Sequence, residues 1–117
     1  MLIEIKLGEQ RSAWIRKETT IGECEQIAHI NKSWTILGKS EHQDIRSACV
    51  QALVCVRRWT GLDDMSWPDL EHEFSADSKA LSTRFDGLRR YIGVRSLKRI
   101  NDAVTSAMLP DEKLEGN

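Results

Sequence analysis

The sequence predicts a mainly α, α+β fold: a short N-terminal β-hairpin or extended segment followed by four to five packed helices. Three observations predict it. Ile3-Glu4-Ile5-Lys6-Leu7 alternates apolar and polar residues, the period of a half-buried strand. From Thr20 onward, apolar residues recur at three- and four-residue spacing almost to the end, the period of helices packed on one face. Capping residues, glycines and a proline divide that stretch into separate helices.

The alternation over residues 2–7 places Ile3, Ile5 and Leu7 on one face. Gly8-Glu9-Gln10-Arg11 turns the chain, and Ser12 to Lys17, with Trp14, Ile15 and Arg16, is the return strand. A lone hairpin is marginal in water. This one must pack on the helices or pair with a partner's edge, which leaves room for a homo-oligomer. Thr20 and Glu23 form the Thr-x-x-Glu capping box, in which each side chain bonds the other's backbone N–H. Ile21, Cys24, Ile27, Ala28, Asn31, Trp34 and Leu37 follow at helical spacing, and Gly38 suits the C′ position.

A second helix is expected after Ser40, reaching Thr60. Its stripe is Ile45, Ala48, Cys49, Ala52, Leu53, Val56 and Trp59, with Gly61 past its end. It is the most hydrophobic of the series and belongs at the centre. Ser66-Trp67-Pro68-Asp69 predicts a short third helix, with Ser66 as N-cap and Pro68 in the first turn. Asp77 or Ser78 starts a fourth, carrying Leu81, Phe85, Leu88 and Ile92 on one face and ending at Gly93. Ser96 is expected to cap a fifth, with Leu97, Ile100, Val104 and Ala107, and Pro110 stops it. These elements make one α-rich domain over residues 1–110. Residues 111–117 are polar and are expected to form a disordered tail.

Composition excludes several classes. At 117 residues the chain is one domain by length, and 30% charged residues is ordinary for a soluble protein. A net charge of −1 provides no global field toward nucleic acid or anionic membrane. No apolar run approaches the roughly 20 residues of a membrane helix. The N-terminus lacks the basic and apolar regions of a signal peptide, so a cytoplasmic location is expected. The cysteine count of three is odd. Cys49 and Cys55 are separated by about 9 Å of helical rise, too far for a disulfide. Cys24, Cys49 and Cys55 therefore read as small buried hydrophobes in a reducing compartment.

Candidate chemistry is sparse. His29, His42 and His72 stand in no Cys-x-x-Cys or His-x-x-x-His arrangement, the spacings that aim two ligands at one metal ion. A nucleophilic pair would need Cys24 or Cys49 beside His29 or His42, and burial of either thiol disfavours the thiolate. The scattered glycines form no phosphate cradle. No cofactor is expected. Charge is segregated: residues 61–78 are acidic, and residues 79–99 carry Arg84, Arg89, Arg90, Arg95 and Arg99 with two lysines. Such a basic face could meet successive phosphates of a nucleic acid. A basic surface answering the adjacent acidic one is the simpler reading, and nucleic acid is not the favoured partner. Trp34 and Trp59 sit on apolar stripes and read as core. Trp14 is on the hairpin and Trp67 begins a short helix after a loop; core or cap packing is the simpler reading of both, and either one, if exposed, would anchor a protein contact. With Trp14, residues Leu62, Met65, Trp67, Leu70 and Phe74 are the candidate partner-binding set.

This layout resembles the tail assembly chaperones of long-tailed bacteriophages and prophages. The residues that carry the resemblance are Ile3-Glu4-Ile5-Lys6-Leu7-Gly8, the helix entry Thr20-Ile21-Gly22-Glu23, the segment Leu53 to Gly61 leading into Leu62-Asp63-Asp64, and Tyr91-Ile92-Gly93 before a last helix and acidic tail. The resemblance implies a non-enzymatic protein of the host cytoplasm that binds the tape-measure and tail-tube proteins. Members of the family are often made in two lengths by a −1 ribosomal frameshift. Glu115-Gly116-Asn117 can be written GAG GGA AAC, which contains a slippery G GGA AAC heptamer. The basic run Arg84 to Arg99 has no counterpart in that layout.

Overall fold

The computed structural model describes residues 1–33, 43–70 and 78–108. They form an α+β fold with a three-stranded antiparallel sheet and four helices among the described residues. The order along the chain is β1 (Leu2–Gly8), β2 (Arg11–Arg16), α1 (Ile21–Ser33), α2 (Gln43–Cys55), β3 (Val56–Thr60), α3 (Lys79–Tyr91) and α4 (Val94–Met108). The sheet order is β1-β2-β3, with β2 in the middle.

The N-terminal hairpin forms as its alternation predicts. Leu2 pairs with Arg16 and Ile5 with Ala13, and a bulge falls between Lys6 and Gly8. Glu9 and Gln10 make the turn, both at positive φ, flanked by Gly8, also positive. Two left-handed residues in a two-residue loop match the twist of the strands. Ala13 and Ile15 are fully buried, and Ile3, Ile5 and Leu7 pack against the core they complete.

The second predicted helix is two elements. It stops at Cys55, and Val56–Thr60 is β3, pairing antiparallel with β2. Val56 and Trp59 lie at a helical spacing that continues the α2 stripe, yet the segment Val56-Arg57-Arg58-Trp59-Thr60 is mostly β-branched and aromatic or tolerant of an exposed strand. The free edge of β2 decides the matter, because a third strand turns a marginal hairpin into a stable sheet.

The capping box at α1 forms. The Glu23 amide donates to Thr20 Oγ1 at 3.1 Å, and the Thr20 amide donates to Glu23 Oε1 at 2.9 Å. The predicted stripe, however, is rotated by about one residue. Ile21 is 81% exposed, and Cys24 and Ala28 are exposed, while Glu23, Ile27 and Ile30 are buried. Glu23 turns inward to close the cap and meets Arg16 at 3.6 Å, and residues four and seven further on follow it into the core.

Residues 66–70 are not helical, so Ser66 caps nothing within the described residues. Trp67 and Pro68 instead bond to β3 and α3, as set out below. Ser78 is the N-cap of α3. Helix α4 starts at Val94, two residues before the predicted cap at Ser96. The Gly93 carbonyl accepts the first bond from the Leu97 amide at 2.9 Å. Expectations at Trp34, Leu37, Gly38, Ser40, His42, His72, Phe74, Asp77, Pro110 and the 111–117 tail lie outside the described residues.

Helices α2 and α4 pack on each other and on the sheet, with α4 over β1 and β2. Helices α1 and α3 pack on α2. One core cluster runs through β2, β3 and all four helices, and α2 supplies more of it than any other element. That matches its expected central position.

Candidate functional site

Three helices meet at an apolar opening among the described residues. Ile45 and Cys49 of α2, Phe85, Leu88 and Arg89 of α3, Ile92 of the α3–α4 link, and Val94 and Leu97 of α4 line a cavity of about 160 Å³. The sequence builds it from three stripes that converge. Phe85, Leu88 and Ile92 follow Leu81 on one face of α3, and the sharp link at Ile92-Gly93 brings Val94 and Leu97 back against them. Val94, 52% exposed, stands at the mouth. Arg89 forms the polar rim: its guanidinium lies 4.8 Å from the Phe85 ring centre and pairs with Asp86. An apolar cavity near 150 Å³ is large enough for a benzene ring. The opening is suited to an apolar side chain.

Cys49 lines this cavity, and burial pushes its thiol up. Cys55, at the end of α2, is pushed up to about 12 by burial and by the nearby Glu23. Both stay as protonated thiols at neutral pH. Cys24 is exposed, contrary to its expected burial, because the rotation of α1 that buries Glu23 turns it outward. His29 is exposed. Among the described residues, no group of three His, Cys, Asp or Glu side chains could hold a metal ion. No helix among them is long and apolar enough to cross a membrane.

The predicted partner-binding residues have other engagements. Leu62 and Met65 are buried. Met65 fills the space above Gly87 of α3, where an added Cβ would lie 2.9 Å from its Cγ. Trp67 is half-buried, donates from Nε1 to the Val56 carbonyl at 2.9 Å, and meets Trp59 edge-on at 5.1 Å. Leu70 packs on the core. Together residues 62–70 strap α3 to the junction of α2 and β3. Trp14 is half-buried on the sheet, donating to Thr60 Oγ1 at 2.6 Å under the Arg58 guanidinium. Phe74 lies outside the described residues.

The basic stretch is not one face. Arg84 is 2% exposed and belongs to the interior. Its Nε donates to the Pro68 carbonyl at 2.8 Å, and Nη1 donates to the Leu53 carbonyl at 2.9 Å and the Val56 carbonyl at 3.4 Å. The guanidinium also lies 4.7 Å from the Trp67 ring centre. The Leu53 and Val56 carbonyls lie where α2 ends, and a cation there also meets the negative end of the helix dipole. Burial and Arg57 lower the Arg84 pKa to about 10, with Asp69 opposing, so it is still charged at neutral pH. Arg90 and Arg95 are exposed. Arg99 is exposed and donates to the Lys6 carbonyl of β1 at 3.3 Å.

Sequence reasoning missed the cavity, because its wall comes from three helices whose convergence no single stripe reveals. It also missed the role of Arg84, although a signal was present: Arg84 falls between Leu81 and Leu88 on the buried side of α3. No protein-family model matches the chain, and neither a curated protein nor a solved structure matches it.

Proposed function

We propose that this chain is a non-enzymatic protein-binding module, a tail assembly chaperone of a long-tailed phage or prophage acting in the bacterial cytoplasm. Its partners are the tape-measure protein and the tail-tube protein. The observation that supports this reading is the open apolar cavity between α2, α3 and α4. A long amphipathic helix presents apolar side chains at i, i+3, i+4 and i+7, and a hydrophobic cleft takes such anchors. Covering them keeps an unassembled tape-measure helix from aggregating. Copies bound along one long helix add avidity. The 84–99 stretch is not proposed as a nucleic-acid face, because Arg84 is internal and Arg89 is engaged by Asp86 and Phe85.

The test is co-expression with a phage tape-measure protein, followed by affinity purification. The wild-type chain retains that protein and keeps it soluble. Val94→Glu puts a charge at the mouth of the cavity while standing at the first helical position of α4, where an acidic residue favours the helix. Retention should fall with the melting temperature unchanged. A wild-type chain that retains neither tape-measure nor tail-tube protein defeats the proposal.

A further inference from the structure

The free edge of β1 has a pattern that fits a second copy of itself. The Met1 carbonyl accepts from the Lys17 amide at 3.1 Å, on the register that pairs Ile3 with Ile15 and Ile5 with Ala13. Opposed residues in an antiparallel ladder alternate between exchanging hydrogen bonds and turning those groups away. Ile3 and Ile5 therefore bond to β2, and Leu2, Glu4 and Lys6 turn their N–H and C=O groups outward. The Lys6 carbonyl agrees, since it accepts from Arg99 outside the ladder. No strand among the described residues pairs with that edge. The opposite edge differs: at β3 the Val56 carbonyl already takes two donors, from Trp67 and Arg84, whereas the Lys6 carbonyl takes one and keeps a second lone pair for a ladder bond, and Arg57 and Arg58 are exposed.

Antiparallel pairing of β1 with its own copy must oppose outward-turned residues, so even-numbered positions face even-numbered ones. Centring on Glu4 sets two carboxylates opposite each other. Centring on Lys6 sets two ammonium groups opposite. Like charges directly opposed destabilise a strand pair. Centring on Ile5 sets Glu4 against Lys6 at both ends and Ile3 against Leu7, with the apolar face of both copies on one side. The side chains of Glu4 and Lys6 are exposed; Glu4 Oε2 accepts from the Ser12 hydroxyl at 2.5 Å, and a carboxylate has acceptor sites for a further donor such as the Lys6 ammonium. We propose that two copies of this chain join through β1, antiparallel about a two-fold axis at Ile5, into one continuous sheet. The interface is isologous, with the same patch used by both copies. It needs no tape-measure protein and stands apart from the cavity.

The experiment is sedimentation equilibrium on the full chain and three variants, with circular dichroism as the folding control. Wild type dimerises. Glu4→Lys and Lys6→Glu each replace two attractive pairs by two repulsive ones, weakening dimerisation at least ~10-fold. An equimolar mixture of the two single variants recovers a dimer, because one presents two positive and the other two negative side chains. The double variant Glu4→Lys with Lys6→Glu recovers it alone. Hydrogen exchange on the unmodified chain gives an independent reading that needs no variant. The Glu4 and Lys6 amides should slow as concentration rises, while Ile3 and Ile5 are protected throughout. A chain monomeric at every concentration, a dimer indifferent to the single variants, or Glu4 and Lys6 amides indifferent to concentration would overturn the proposal.

Discussion

Arg84 and Cys55 are the residues whose chemistry is most altered by the fold. Arg84 sits in a helical stripe between leucines, where a charge is costly unless it is bonded. Its three carbonyl partners supply those bonds at the point where α2 gives way to β3. Arg84→Met should destabilise the chain by about 2–4 kcal/mol, since charged hydrogen bonds are lost and buried carbonyls are orphaned. Arg84→Lys keeps the charge without the planar fork and should fall between the two. Urea unfolding of the three chains measures this. Cys55 predicts a pH effect. Its thiol titrates near 9.0 when unfolded and near 12 when folded. Between those values the unfolded chain has released a proton that the folded chain keeps. The stabilisation is therefore complete below pH 9 and is lost as pH rises toward 12. At pH 10.5 the loss relative to pH 8 should be on the order of 2 kcal/mol. Urea midpoints at the two pH values should converge toward each other in Cys55→Ala.

At the scale of elements, the hairpin turn and the end of β3 are locked together. Gly61 follows β3 with φ +80°, and a Cβ there would lie 2.3 Å from the Gln10 carbonyl and 3.2 Å from the Arg11 Cα. Both obstacles are backbone and cannot rotate away. Gly61→Ala should cost more than the roughly 1–3 kcal/mol of a strained left-handed residue alone, and the loss is read as a fall in the urea midpoint. Gly87→Ala makes a useful contrast, because the obstacle there is the flexible Met65 side chain and the loss should be smaller. The elements also show where a period is ambiguous. The α1 cap was legible because Thr20 and Glu23 satisfy each other locally. The end of α2 was not, because Val56 and Trp59 continue a helical spacing while the partner that makes them a strand, β2, lies more than 40 residues earlier.

On the scale of the whole molecule, one cluster joins the sheet to all four helices. No element buries its apolar face alone. Unfolding should therefore be a single cooperative event. Tryptophan fluorescence, which includes Trp14 on the hairpin and Trp59 and Trp67 at the α2–β3 junction, should give the same urea transition as far-UV circular dichroism. Separate transitions would show the hairpin to be an independent unit. The sequence by itself determined what local physics can specify: the alternating first strand and its return, the Thr20–Glu23 helix start, an α3 start at Asp77 or Ser78, the α3 and α4 stripes, and the central place of α2. Tertiary structure decided the rest. It made Val56–Thr60 a strand, drew Arg84 inside, turned Cys24 outward, and set three helix faces around one cavity. Each of those outcomes depends on a partner distant in the chain, and periodicity records only which residues seek burial, never which neighbour will cover them.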